Sequence, residues 1–258
     1  MKAVNRYIFE VPEREAFKRK LGDKKIYFDA GLGSKYDNMV QYGKLISKPK
    51  NAKLDIREGE TVYFSHVARD YDYRIEVKGK VYYCVDNILA EGSKHSYQLI
   101  LCAQDRAVGD VTIVERIERD KKSGNIYLEQ DNDKNHFKVV MSNVLKKGTE
   151  IIISSEADYD FLDKDYKERI AVQNKHIIAT IQNGQLNEFG DYAVLDPLDK
   201  KLMDKTSKGV YLETKNHKRG VANWKGNKIY YHKINDNSFE YNKKKYSSCL
   251  KEDIYYIC

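Results

Sequence analysis

A three-residue apolar signature occurs three times along the chain. The copies are Ile26-Tyr27-Phe28, Ile126-Tyr127-Leu128 and Val210-Tyr211-Leu212. Because internal repetition decides how many cores a chain can build, this recurrence constrains the fold more than any other feature of the sequence. Its period of about 80 to 100 residues exceeds that of solenoid repeats, which run about 20 to 50 residues. Each repeat is therefore long enough to form a small domain.

The same landmarks follow each copy of the signature. A glycine precedes a β-prone run, a basic turn precedes a second β-prone run, and a polar residue with two apolar ones closes the repeat. The three series are Gly59–Phe64, Lys78–Tyr83 and Asn87-Ile88-Leu89; Gly148–Ile153, Lys167–Val172 and His176-Ile177-Ile178; and Gly226–Tyr231, Lys243–Ser248 and Asp253-Ile254-Tyr255. Their common order predicts an internal triplication.

Alternating β-branched and aromatic residues dominate the readable segments and predict a mainly β fold. Polar and small residues at 91–94 and 182–185 interrupt the pattern and place the boundaries of three predicted domains, 1–92, 93–185 and 186–258. One helix is expected at Glu13–Leu21, where acidic residues lead, basic residues follow and Gly22 stops the segment. Asp158–Arg169 is expected to be irregular.

Composition favours a soluble cytoplasmic protein. Hydrophobic residues make up 41% of the chain, there are three prolines, and no apolar run approaches the length of a membrane span. Residues 1–15 carry charges and lack the apolar core of a secretory leader. The net charge of +7 is a mild basic excess, and its one true run, Lys243-Lys244-Lys245, falls in a predicted hairpin tip. Membrane binding is not expected, and the position of this run favours a solvated turn over a nucleic-acid-binding patch.

No catalytic or metal-binding pattern is present in the sequence. The six histidines are isolated, the four cysteines lack zinc-ligand spacing, and no phosphate-binding or nucleophile motif occurs. Cys84 and Cys249 are expected in strands rather than in a disulfide, and Gly31-Leu32-Gly33-Ser34 is interpreted as a loop. We therefore expect a protein that is not an enzyme and needs no cofactor or metal.

Five segments of the third repeat lie in order between Phe189 and Ile257: Gly190–Leu195, Asp204–Leu212, Arg219–Ala222, Gly226–Lys233 and Leu250–Tyr255. In this order they resemble the opening strand, the mobile loop, the strand that leaves the loop, the strand after it and the closing segment of the GroES-like co-chaperonin family. The first two repeats match the same template more weakly and are interpreted as diverged copies.

The resemblance implies three tandem small, partly open β-barrels. In the family, a mobile loop docks an aliphatic tripeptide into an apolar groove of a chaperonin ring and caps its folding chamber. Carried over to this chain, that role falls on Gly209, Val210, Tyr211 and Leu212, and in the diverged repeats on Ile26, Tyr27, Phe28, Ile126, Tyr127 and Leu128. The implied partners are a GroEL-like chaperonin ring and further copies of the chain.

Alternatives remain open at this point. The tripeptides of the first two repeats are also typical of half-buried sheet. Between Gly220 and Gly226 there is almost no room for the hairpin that roofs the dome in bacterial family members. A structural ring or virion protein that reuses the barrel for assembly is therefore the second hypothesis, compatible with a viral source. A β-barrel nucleic-acid binder is the third and weakest.

Overall fold

The computed structural model is built of antiparallel strands. It describes residues 2–11, 17–21, 24–28, 41–65, 74–86, 88–89, 97–117, 135–154, 158–162, 168–196, 219–232 and 237–257. Within these residues the only helical elements are two 3-10 turns, Asn174–His176 and Lys251–Asp253. The prediction of a mainly β fold is confirmed.

Eleven strands lie in the described residues before residue 110. In chain order β1 to β11 are Tyr7–Glu10, Phe17–Leu21, Lys24–Phe28, Tyr42–Ser47, Thr61–Phe64, Arg74–Val77, Lys80–Val85, Ile88–Leu89, Tyr97–Gln98, Ile100–Ala103 and Arg106–Ala107. Seven of them form a sheet in the order β11-β10-β5-β4-β1-β7-β6, while β2 pairs with β3 and β8 with β9. The side chains of Phe9, Leu45 and Phe64 are fully buried in its core.

Thirteen further strands lie in the described residues after residue 110. In chain order β12 to β24 are Val111–Arg116, His136–Met141, Glu150–Ile153, Asp158–Leu162, Glu168–Gln173, Ile177–Gln182, Gln185–Glu188, Tyr192–Leu195, Arg219–Trp224, Asn227–His232, Asn237–Tyr241, Lys244–Leu250 and Ile254–Ile257. The second seven-stranded sheet has the order β15-β16-β12-β13-β14-β17-β18. Two three-stranded sheets follow, β22-β23-β19 and β20-β21-β24, and the bridge between Asp196 and Asn223 joins β19 to β20.

Twenty of these 24 strands fall into three sets with the same neighbour order, and β2, β3, β8 and β9 lie outside them. Set 1 runs β6-β7-β1-β4-β5-β10-β11, set 2 runs β15-β16-β12-β13-β14-β17-β18, and set 3 runs β22-β23-β19, then across the bridge to β20-β21-β24. Counted along the chain, the first, second and third strands are β1, β4 and β5 in set 1, β12, β13 and β14 in set 2, and β19, β20 and β21 in set 3. The hairpin strand and the return strand that follow are β6 and β7, β15 and β16, and β22 and β23, and we call β10, β17 and β24 the last strands. The pairing of the last strand with the third skips one residue in each set: Leu101, Ile178 and Tyr255.

Glycines with positive φ enter the third strand of every set. Gly59, Gly148 and Gly226 have φ values of 91°, 86° and 83°. Side chains other than glycine's rarely adopt this backbone conformation, so a glycine is favoured at each of these turns. The predicted glycine landmarks are thus turn residues at the start of β5, β14 and β21.

The chain divides into two compact units. The first comprises Met1–Glu115, Val139–Lys147 and Asp158–Gln173, and the second comprises Arg116–Lys138, Gly148–Ala157 and Asn174–Cys258. The three predicted domains stay a prediction. Two strands of the first sheet, β10 and β11, follow residue 92, and residues 183 and 184 form the turn between β17 and β18.

Three local predictions are wrong. The expected helix Glu13–Leu21 is in part the strand β2, which pairs with β3 from Phe17↔Phe28 to Leu21↔Lys24, and residues 12–16 lie outside the described ones. The expected irregular segment from Asp158 contains β15, which forms a hairpin with β16. In set 1 the closing strand beside β5 is β10, whereas Ile88 and Leu89 pair with β9. In each case pairing with a neighbouring strand decided the structure.

Candidate functional site

The predicted tripeptides all fall between the first and second strands of a set. Ile26-Tyr27-Phe28 lies between β1 and β4, within β3. Ile126-Tyr127-Leu128 lies in the segment between β12 and β13, and Gly209 to Leu212 lies between β19 and β20, in both cases outside the described residues. The three tripeptides therefore occupy the same topological position, and their partner-binding role stays a prediction.

An ion pair marks the point where each of these connections begins. In every set the first strand ends at or beside an acidic residue that pairs with a base on the return strand. The pairs are Glu10 with Lys80, Glu115 with Arg169, and Asp196 with Lys244. Their distances are 2.6 Å for Lys80 and 2.7 Å for Lys244. The basic turns recognised in the sequence thus supply partners for these carboxylates.

The electrostatics of two of these pairs follow from direct contact. Hydrogen bonding to the Glu10 carboxylate raises the pKa of Lys80, and hydrogen bonding to the Asp196 carboxylate raises the pKa of Lys244. Both ammonium groups are exposed, so the pairs contribute little to stability. They lie beside the point where the connection leaves the sheet.

Backbone hydrogen bonds also form where the third connection begins. The amide of Asp196 donates to the carbonyl of Asn223 at 2.9 Å, and the amide of Asn223 donates to the carbonyl of Asp196 at 3.1 Å. The segment from 197 to 218 therefore leaves and re-enters at neighbouring strands.

The hairpin after this connection is tight. Only Lys225 and Gly226 separate β20 from β21, and both have positive φ, which suits a two-residue hairpin turn. This turn accounts for the short spacing between Gly220 and Gly226, and the absence of a roof hairpin in this repeat stays a prediction. In set 1 the corresponding link from β4 to β5 is longer and contributes Leu54 and Ile56 to the core.

Sequence reasoning missed an exposed apolar surface on the last strand of set 3. Tyr255, Tyr256 and Ile257 on β24 have 45%, 59% and 54% of their side chains exposed. The ring of Tyr256 contacts that of Tyr230 with centroids 5.9 Å apart, and Tyr255 contacts the ring of His232 at 5.1 Å. The strand pattern alone could not reveal this exposure, because the equivalent residues of the other sets are buried.

The structure gathers no metal-ligand cluster from the residues it describes. No three His, Cys, Asp or Glu side chains converge among them. His136 is buried and its Nε2 lies 3.0 Å from Glu150 Oε2, which is a structural contact between β13 and β14. Cys84 and Cys249 lie in β7 and β23 as thiols, as expected.

None of the helical turns in the described part of the chain has the length and apolar character needed to cross a membrane. Comparison with known proteins gives no family either, because no family model matches the chain and no curated protein matches its sequence.

Proposed function

We propose that the chain consists of three GroES-like repeats in tandem and acts as a co-chaperonin-like protein. Its tripeptides, foremost Gly209 to Leu212, engage a chaperonin ring and help it to fold proteins. The observation that carries the proposal is the common position of the three tripeptides, each between the first and second strands of a set. The repeated strand order supports descent of the three sets from one ancestral unit.

The chemistry of the third connection suits docking. Val210 and Leu212 are apolar and stand in a segment rich in charge, including Lys205, Lys208 and Glu213. An extended segment of this kind gains by burying its apolar side chains in a groove, and its charges keep it in water until then. Burying the two side chains would contribute about 1.5 to 3 kcal/mol each. Several such segments in one assembly would raise the total affinity steeply.

A binding experiment with a GroEL-type ring tests the docking role. The double variant Val210→Asp/Leu212→Asp is compared with the wild-type chain by mass photometry, with and without ATP. We expect wild-type binding that needs nucleotide, and at least a 100-fold weaker association for the variant, since losing about 3 kcal/mol has that effect.

The matched control is Leu202→Asp/Met203→Asp, which adds the same charge to the same segment outside the tripeptide. It should bind like the wild-type chain. Equal binding by the wild-type chain and the tripeptide variant would exclude this docking site, and an equal loss in both variants would assign the effect to charge. The corresponding pairs Ile26/Phe28 and Ile126/Leu128, changed to Asp in the same way, report whether the other repeats dock.

A structural ring or virion protein is the second candidate function. It is favoured by the two-residue turn between β20 and β21, because a building block needs interfaces and has no need of a roof. Purification of particles that contain the chain in stoichiometric amounts would support this role. Release of a chaperonin-bound substrate in a refolding assay would favour the first.

A further inference from the structure

Each of the first two strand sets is completed by the residues that lead into the next set. β11 pairs with β10 and precedes β12 by three residues, and β18 pairs with β17 and precedes β19 by three residues. We call these residues the lead-in of the following set. In both junctions the backbone makes the same bond: the amide of Val108 donates to the carbonyl of Leu101 at 3.3 Å, and the amide of Phe189 donates to that of Ile178 at 3.0 Å.

The last strands that pair with a lead-in, β10 and β17, are buried at the positions where β24 is exposed. The register with the third strand matches Leu101, Cys102 and Ala103 of β10, and Ile178, Ala179 and Thr180 of β17, to Tyr255, Tyr256 and Ile257 of β24. The residues of β10 and β17 are at most 5% exposed, whereas those of β24 are at least 45% exposed. β24 is also an outer strand of its sheet. It is the one last strand that has no lead-in beside it among the described residues.

The lead-in of set 1 exposes a residue whose counterpart in set 2 is buried. This lead-in is Lys2–Arg6, in which Val4 is 76% exposed. Val108, which like Val4 stands three residues before the first strand of its set, is 2% exposed. The amide of Ala3 donates to Ser47 Oγ, so this lead-in is held against its own sheet. A cavity of about 490 Å³ opens along it, lined also by Ile8, Ile75 and Cys84.

The hairpin strand of the first set adds to this surface. In each set the residue two positions before the acid pairs with the return strand, as Ile8 with Cys84, Ile113 with Ala171, and Val194 with Ser248. The residue two positions before this partner on the return strand pairs in turn with the hairpin strand. Its partners there are Ile75 in set 1, Phe161 in set 2 and Phe239 in set 3.

The two aromatic members of this series show what the position does. Phe161 lies in one buried cluster with Leu101 and Cys102, and Phe239 lies in another with Ile178 and Ala179. Each therefore shares a buried cluster with the last strand of the preceding set. Ile75 is 38% exposed, and Val77 on the same strand is 40% exposed.

We infer that β24 of one chain pairs antiparallel with the lead-in Lys2–Arg6 of a second chain, and that Tyr255 to Ile257 pack against Ile75 and Val77. The occupant is a second copy of this chain because the equivalent surfaces, a last strand and the start of the next set, already meet between sets 1 and 2 and between sets 2 and 3. Of the seven exposed large apolar side chains in the described residues, only Val144 lies outside these two surfaces. Such a head-to-tail contact is heterologous, so it builds closed rings or filaments.

Two variants, each blocked at one end, test the contact in the full-length chain. Tyr256→Asp/Ile257→Asp places charge on β24, and Ile75→Asp/Val77→Asp places it on the receiving surface. We expect wild-type assemblies in mass photometry and light scattering, monomers for each variant alone, and a one-to-one dimer when the two variants are mixed, because each keeps one intact end. Val144→Asp, at an exposed site elsewhere, should assemble like the wild-type chain.

Circular dichroism checks that the variants fold, and alanine at the same positions provides milder changes. A wild-type chain that stays monomeric at about 100 µM would overturn the inference, because this concentration is well above the dissociation constant of a specific interface. So would dimers of the Ile75→Asp/Val77→Asp variant alone, which would mean that β24 pairs with itself, or a mixture that stays monomeric. None of these results depends on chaperonin binding, so this contact and the proposed function can fail separately.

Discussion

Among single residues, Gly109 and Gly190 show how one backbone conformation can carry different constraints. Both precede an aspartate at the opening of a strand set, and their φ values are 65° and 59°. A Cβ on Gly109 would strike the side-chain amide of Gln98, whereas a Cβ on Gly190 would meet nothing within 4 Å. The Gln98 amide donates to the carbonyls of Ile100 and Val108 and accepts from the amide of Asp110. It therefore ties β10 to the lead-in of the second set.

The pair predicts different costs for the same substitution. Gly190→Ala should lower the free energy of unfolding by about 1 to 2 kcal/mol, the cost of left-handed backbone at a residue with a Cβ. Gly109→Ala should lower it by a further 1 to 3 kcal/mol or so, because buried hydrogen bonds of Gln98 are lost. Urea titration measures both, and the extra loss should largely vanish in a Gln98→Ala background. Equal losses at the two glycines would contradict this account.

Residues near in sequence were easier to predict than contacts between distant ones. Gly59, Gly148 and Gly226 were recognisable because a positive-φ turn selects glycine locally. The ion pair between Glu10 and Lys80 was not, since 70 positions separate the two residues and nothing in either neighbourhood requires the other. The exposure of Tyr256 was hidden for the same reason: whether a strand residue is covered depends on a segment that the local pattern does not contain.

At the scale of elements, strand pairing accounts for what the sequence pattern missed. In Phe17–Leu21 the apolar residues are four apart, a spacing that suits both a helix and one face of a strand. The neighbouring Lys24–Phe28 decided between them. Likewise Ile88-Leu89 and Ile100-Leu101 carry the same local signal, and only pairing with β5 identifies the second as the closing strand. The order of strands was predictable from the repetition, but their partners were not.

Strand β24 yields a prediction that can be followed by hydrogen exchange. The amides of β17 lie between two strands, whereas β24 is an outer strand of its sheet. In dilute protein, amides of β24 should exchange faster than those of β17, and they should slow as concentration rises and a second chain covers the strand. Ile75→Asp/Val77→Asp should remove the slowing. Exchange in β24 that does not change with concentration while the mean mass increases would place the contact elsewhere.

At the scale of the whole molecule, part of the positive charge is engaged in local ion pairs. Several basic side chains in the described residues already contact carboxylates: Arg6 with Asp86, Lys80 with Glu10, Arg106 with Glu60, Arg169 with Glu115, Lys225 with Glu188, and Lys244 with Asp196. Each of these pairs places a carboxylate beside a base, which weakens the attraction of that base for a phosphate backbone.

Nucleic-acid binding should accordingly be weak and sensitive to salt. With a labelled single-stranded oligonucleotide, fluorescence anisotropy should give a dissociation constant no tighter than the micromolar values of non-specific binding at about 0.15 M salt. A basic protein of similar size that does not bind nucleic acid specifically serves as the reference. Saturable nanomolar binding that persists at that salt concentration would favour the nucleic-acid hypothesis over the other two.

The way one set's last strand is completed by the next set's lead-in has a consequence for synthesis on the ribosome. Chains emerge at about 5 to 20 residues per second, so β10 is made before β11, and β17 before β18, and each must wait as an open edge for a short time. A fragment cut after residue 92 or residue 185 would separate strands that belong to one sheet. Expression fragments of this protein are therefore best ended after residue 107 or residue 188, where the sheet of the preceding set already includes its outermost strand.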